Sequence, residues 1–222
     1  MAVADLQLAV NTVLCIAVFI GGFAVSIPIG VVGINNGGNC FLYATYEKEE
    51  CASYSKAGNC NFPIFFSVGA CIFYGLAQTC YYAYAVYKST KDPTVGSQMW
   101  VMPLILLNSL VAAVMMVAAC LISVGFDNTC QSYREISKLD SCASAENKHI
   151  RSACNGPEEE KDYDSGNFNK LFHVAEVAAW LCWLIWIALV VSGIVRAIRN
   201  RRARAKGKSQ DKKGFAQVDP TA

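Results

Sequence analysis

Residues 99–124 read MWVMPLILLNSLVAAVMMVAACLISV, without one charged side chain. A helix rises about 1.5 Å per residue and the hydrocarbon core of a bilayer is about 30 Å thick, so about 20 such residues cross it. Three further stretches meet the same criterion: residues 8–32, 64–86 and 171–195. Only the last holds a formally charged residue well inside its bounds, Glu176. The pattern predicts an all-α membrane protein, a four-transmembrane-helix bundle over residues 1–195. Two exposed loops, 33–63 and 126–170, join the spans on one side, and residues 196–222 form a tail expected to be disordered.

Composition agrees. The chain is 54% hydrophobic and 16% charged, against about 25% charged residues in an average soluble domain. The net charge of +2 hides a strong segregation, because nine of the 19 Lys and Arg residues follow Val195. An excess of Lys and Arg beside a span marks the cytoplasmic side. The tail is therefore expected inside the cell, together with the N-terminus and the short loop carrying Lys88 and Lys91. The loops at 33–63 and 126–170 then face outward, as in an integral protein of the plasma membrane. A cleaved signal peptide fits the first span less well. No Lys or Arg precedes it, and it exceeds the usual apolar region of about 7–15 residues.

The cysteines give an independent reading of sidedness. Of eleven, six lie in the two outward segments: Cys40, Cys51, Cys60, Cys130, Cys142 and Cys154. The other five (Cys15, Cys71, Cys80, Cys120, Cys182) fall within spans. Disulfides persist outside the cytosol and are rare within it, so the six are expected to staple the outer loops. Fifteen pairings are open to six cysteines. With three per loop, full oxidation requires at least one bond between the loops. Zinc is the rival use, but no short C-x₂₋₄-C pair is present, and no metal is expected.

Within the second span Ser67, Cys71, Gly75, Thr79 and Ala83 recur every four residues. Small-residue stripes let helices approach closely, so this face is expected to pack another span or a partner protein. Aromatic residues gather at its two ends, Phe62, Phe65 and Phe66 at one and Tyr81, Tyr82, Tyr84 and Tyr87 at the other. They form interfacial belts. Polar residues inside spans are costly in lipid unless partnered, and each is a functional candidate. Here they are Asn11, Gln78, Asn108, His173 and Glu176. His173 and Glu176, three apart, share one helix face. An interfacial hydrogen-bonded pair and a proton-sensing or ion-binding site are both open to them. Trp180, Trp183 and Trp186 read as a packing or lipid-facing stripe.

No enzyme signature is present: no H-E-x-x-H, G-x-S-x-G, Walker loop or dinucleotide fingerprint. The acidic run from Glu158 to Asp164 lacks the order of a calcium loop. The chain reads as a non-enzyme without cofactors. Arg196, Arg199, Arg201, Arg202 and Arg204 sit where anionic lipid headgroups attract basic side chains, each contact worth about 1 kcal/mol. A simple topology anchor accounts for them equally, and nucleic acid is excluded for a tail held at a membrane.

Several short motifs suggest a family. Gly38-Asn39-Cys40-Phe41-Leu42-Tyr43 opens the first outer loop. Ile122-Ser123-Val124-Gly125-Phe126 ends the third span, followed by Cys130 and Ser141-Cys142. Asn167-Phe168, Phe172, Ala175, Glu176, Trp180, Trp183-Leu184 and Trp186-Ile187-Ala188 mark the fourth. Together, over Cys40 to Ala188, these resemble the transmembrane protein 179 family. The resemblance implies four spans and cytoplasmic ends, and no catalytic activity. Connexins have tighter loop cysteine spacings. The W…GLW…C…C signature of claudins and the Cys-Cys-Gly of tetraspanins are absent.

Two functions follow from these features. One is an auxiliary, scaffolding or trafficking subunit that packs against a larger integral membrane protein, such as a channel. The other is a small homo-oligomeric channel or transporter, which requires polar faces on several helices. The sequence supplies few of those.

Overall fold

The computed structural model describes residues 3–48, 51–89, 101–137, 142, 149–152, 162–164 and 167–215. Helix α1 runs Val3–Asn35. Strands β1 (Cys40–Lys48) and β2 (Cys51–Ser55) follow. The second span is one rod of three parts: α2 (Gly58–Phe66), a π-helical segment (Ser67–Tyr74) and α3 (Gly75–Ser89). Then come α4 (Val101–Ser137), β3 (His149–Ser152), β4 (Asp162–Asp164) and α5 (Phe168–Phe215). All four helical rods are long and apolar enough to cross a membrane.

Helix α1 packs against both the second span and α5, and α4 packs against α5. Inward faces carry Val18, Val25, Met115, Ile122, Ala175, Ala179 and Trp186, each fully or almost fully buried. Outward faces carry Val13, Ile20, Leu106, Val177 and Leu184. An apolar exterior around a small-residue interior suits a bundle solvated by lipid tails, where close backbone packing drives association.

Three features depart from the sequence-based expectation. The side that carries segments 33–63 and 126–170, expected to consist of loops, holds further regular structure. It carries a four-stranded sheet ordered β1-β2-β3-β4, in which β2 from the first loop pairs in parallel with β3 from the second. The outer segment from 126 is helical at its start, because α4 continues past the expected end of the span to Ser137. The basic tail, expected to be disordered, continues α5 as helix to Phe215. No Pro lies between Val195 and Phe215, so nothing in the backbone breaks the helix where the lipid ends.

Entry into the cap is set at the end of α1. Gly37 and Gly38 adopt φ of 66° and 87°, a conformation open to glycine at little cost, and the Gly38 N–H donates to the Gly33 carbonyl at 2.8 Å. This turn delivers Cys40, Phe41, Leu42 and Ala44 into the core.

Candidate functional site: a polar belt beneath a stapled cap

The cap built from the two long connecting segments is held by two disulfides, Cys40–Cys60 and Cys130–Cys142, each within one segment. Their Cα separations of 5.6 and 5.4 Å are ordinary for such bonds. The side chain of Cys51, and all of Cys154, lie outside the described residues, as does any bond between them. Among the described residues the loops are joined instead by backbone, with Cys51 opposite Arg151 and Ala52 opposite Ser152.

The cap is seated on α4 by Thr129 and Gly125. The buried Thr129 hydroxyl lies 2.8 Å from the Phe41 carbonyl and 2.9 Å from that of Gly125, and it accepts the Ala44 N–H. A methyl group at Gly125 would lie 2.7 Å from Leu42 and 2.8 Å from the Tyr43 ring. Tyr43 itself, among the described residues, is the one non-glycine with positive φ, at 62°. That conformation is uncommon for a bulky residue and is held by its surroundings. The Phe-Leu-Tyr motif and the Gly125 motif, far apart in sequence, therefore meet in one interface.

Below the cap, the five intramembrane polar residues divide into two groups. Asn11, Gln78 and Asn108 are each 2% exposed and belong to a belt in the bundle interior. The Gln78 amide N–H₂ donates to Asn108 Oδ1 and to the Tyr74 oxygen, and Tyr74 O–H donates to Asn108 Oδ1 at 2.7 Å. Gln78 Oε1 accepts the Cys15 thiol at 3.5 Å. Nearer the basic end, Ser192 donates to Asn11 Oδ1 at 2.7 Å, and Gln7 donates to the Ser192 carbonyl at 2.8 Å. The belt thus links α1, the second span, α4 and α5. A void of about 10 Å³ beside Asn11, Tyr82, Asn108 and Arg196 has room for about one water.

Tyr74, Ser192 and Gln7 belong to this belt but were not singled out in the sequence. Tyr74 offered a signal: it lies one helical turn before Gln78, on the same face. Trp186 supports the belt from α5, stacking on Tyr74 at 5.6 Å and 10° between ring planes.

His173 and Glu176 lie elsewhere, in the first turns of α5, where it faces the end of α4. His173 Nδ1 is 3.5 Å from Glu176 Oε2, and both line an open cleft of about 630 Å³.

The small-residue stripe is used only in part within the bundle. Ser67, Cys71 and Gly75 are buried, Thr79 is half-buried and Ala83 is exposed. A methyl at Gly22 of α1 would lie 2.8 Å from Cys71 Cβ, and one at Gly75 would lie 3.5 Å from Val18. The upper stripe is thus the seam with α1. Beyond Gly75 the buried positions are Gln78, Tyr82, Ala85 and Ser89, which follow the 3.6-residue period of an α-helix.

Of the tryptophans, Trp186 is core, while Trp180 donates to Ser123 at 2.9 Å and meets Trp183 edge-on. At the basic end Arg201 and Arg202 are exposed. Arg196 borders the small void, and Arg199 reaches Gln7 at 3.4 Å. The Arg204 side chain lies outside the described residues.

A family model described as the transmembrane protein 179/179B claudin domain matches residues 7–217. The match extends well beyond the Cys40–Ala188 stretch that carried the resemblance. It also corrects the distance drawn from claudins, because the domain is of claudin type although the first-loop signature is absent. No curated protein and no solved structure matches the chain.

Proposed function

The chain belongs to the transmembrane protein 179/179B family of claudin-like four-span membrane proteins, and on that premise we propose that it is a non-enzymatic auxiliary or scaffolding subunit of a larger membrane complex. The closure of the polar belt carries this reading. Gln78, Asn108, Tyr74 and Cys15 are bonded to one another rather than to a path through the bundle, and polar groups so paired add specificity to helix packing. The apolar outer faces of α1 and α5 are then the surfaces left for lateral contact. The disulfide-bonded cap faces outward at the plasma membrane, and both chain ends lie in the cytoplasm. Arg201 and Arg202 rest there against anionic headgroups.

Purification from native membranes in mild detergent, followed by mass spectrometry and liposome flux, tests the reading. A larger integral membrane protein is expected at fixed stoichiometry. A pure homo-oligomer that conducts ions in liposomes would replace this reading with a channel.

A further inference from the structure

The cleft between the outer ends of α4 and α5 plays no part in that reading. Its walls are fixed at three levels. At the membrane side the Trp180 indole N–H donates to Ser123 at 2.9 Å. In the middle the Phe126 ring stacks on Phe172 at 5.4 Å and meets the His173 edge at 5.1 Å, with both phenylalanines buried. At the top stands the Cys130–Cys142 disulfide. Helices tied at two heights, with the disulfide holding Cys142 against α4, leave a preformed space, the ordinary condition for a small-molecule site.

Charge along this space is ordered. The helices run in opposite directions, so Asp127 of α4 and Glu176 of α5 both lie on the membrane side. Arg134 stands two turns above Asp127, about 10 Å further out, with Asn169 of α5 also at the outer end; all four line the cleft. Among the described residues, two carboxylates below (Glu176 with His173 beside it at 3.5 Å) and one guanidinium above complement a molecule with a positive end and a negative end.

We propose that this cleft binds a small free zwitterion, its ammonium at Asp127 and Glu176 and its anionic group at Arg134 and Asn169. An aminophospholipid headgroup carries the same chemistry in the reverse order. Its phosphate lies on the membrane side of its ammonium, which would bring phosphate to the carboxylates. The polarity of the cleft therefore selects the free compound.

The test uses the full chain in phosphatidylcholine nanodiscs and calorimetric titration with 6-aminohexanoate, hexylammonium and hexanoate. The zwitterion is expected to bind about tenfold more tightly than either one-headed analogue. Asp127→Asn and Glu176→Gln, made singly, should each weaken 6-aminohexanoate and hexylammonium while leaving hexanoate unchanged. Arg134→Gln should erase the advantage over hexylammonium. Peptide mapping for an intact Cys130–Cys142 bond qualifies each variant, and the analogue series on the unaltered chain stands without them. Affinities for the three probes within about twofold of one another would overturn the proposal. Competition by phosphatidylethanolamine placed in the disc would overturn it as well, by reassigning the cleft to a headgroup.

Discussion

The Thr129 hydroxyl oxygen accepts the Ala44 backbone N–H at 3.1 Å, joining positions 85 residues apart. The same hydroxyl reaches the Phe41 carbonyl, so one buried side chain fastens the first outer segment to α4. Thr129→Val keeps the shape and removes the hydrogen bonds. It is expected to destabilise the folded protein by about 1–3 kcal/mol, the usual cost of leaving buried polar groups unpaired. A lowered thermal midpoint in detergent checks this. The Asn128-Thr129-Cys130 sequence is only the rare cysteine variant of an N-glycosylation site, and its third-position side chain, Cys130, is engaged in the disulfide with Cys142. Treatment with a peptide N-glycosidase should leave the mass of the protein unchanged.

Gly125 is the second fastening point. Its α-carbon leaves room for Leu42 and the Tyr43 ring, which a methyl would approach to 2.7 and 2.8 Å. Gly125→Ala should cost about 1–3 kcal/mol through overpacking. Gly33→Ala is the control, because nothing lies within 4 Å of the added carbon and alanine favours helix. Equal midpoints for the two variants would contradict the packing described.

The polar belt makes a quantitative prediction. Asn108→Leu leaves the Gln78 amide and the Tyr74 hydroxyl without their shared acceptor. The expected loss is about 1 kcal/mol, the scale of hydrogen bonds between membrane helices. In Gln78→Leu combined with Asn108→Leu the total should fall short of the sum of the single changes, because each removes the same interaction. Strict additivity in a double-mutant cycle would deny the contact.

Cysteine connectivity is open to direct mapping. Digestion without reduction should release Cys40 joined to Cys60 and Cys130 joined to Cys142. Cys15, Cys71, Cys80, Cys120 and Cys182 should alkylate as free thiols. A peptide joining Cys40 or Cys60 to Cys130 or Cys142 would contradict the cap.

How much of this was legible in the sequence varies by level. The spans were, because each is a predominantly apolar run of membrane length. The cap sheet was not. Cys40 to Ala44 is buried almost continuously instead of alternating, and the β2–β3 pairing joins segments about 100 residues apart. Connectivity was hidden because spacing does not choose among pairings. The four-residue stripe is buried from Ser67 through Gly75, over a π-helical segment that widens the turn. Past it, a repeat of four drifts about 40° per turn on a 3.6-residue helix, which brings Ala83 to the outside while Gln78 and Tyr82 turn in. Asn11, Gln78 and Asn108 were each recognisable as costly in lipid, but only the fold shows that Gln78 and Asn108 satisfy one another while Asn11 pairs with Ser192.

The central claim is that a disulfide-bonded cap and an arginine-rich helix end lie on opposite sides of one membrane. It is tested most directly by tagging Ala222 in intact cells while treating Cys40, Cys60, Cys130 and Cys142 with impermeant reductant and impermeant alkylator. The four cysteines should become labelled from outside, with the tag reached only after permeabilisation. Antibody binding to the tag on unpermeabilised cells, or cysteines that become labelled only after permeabilisation, would contradict it.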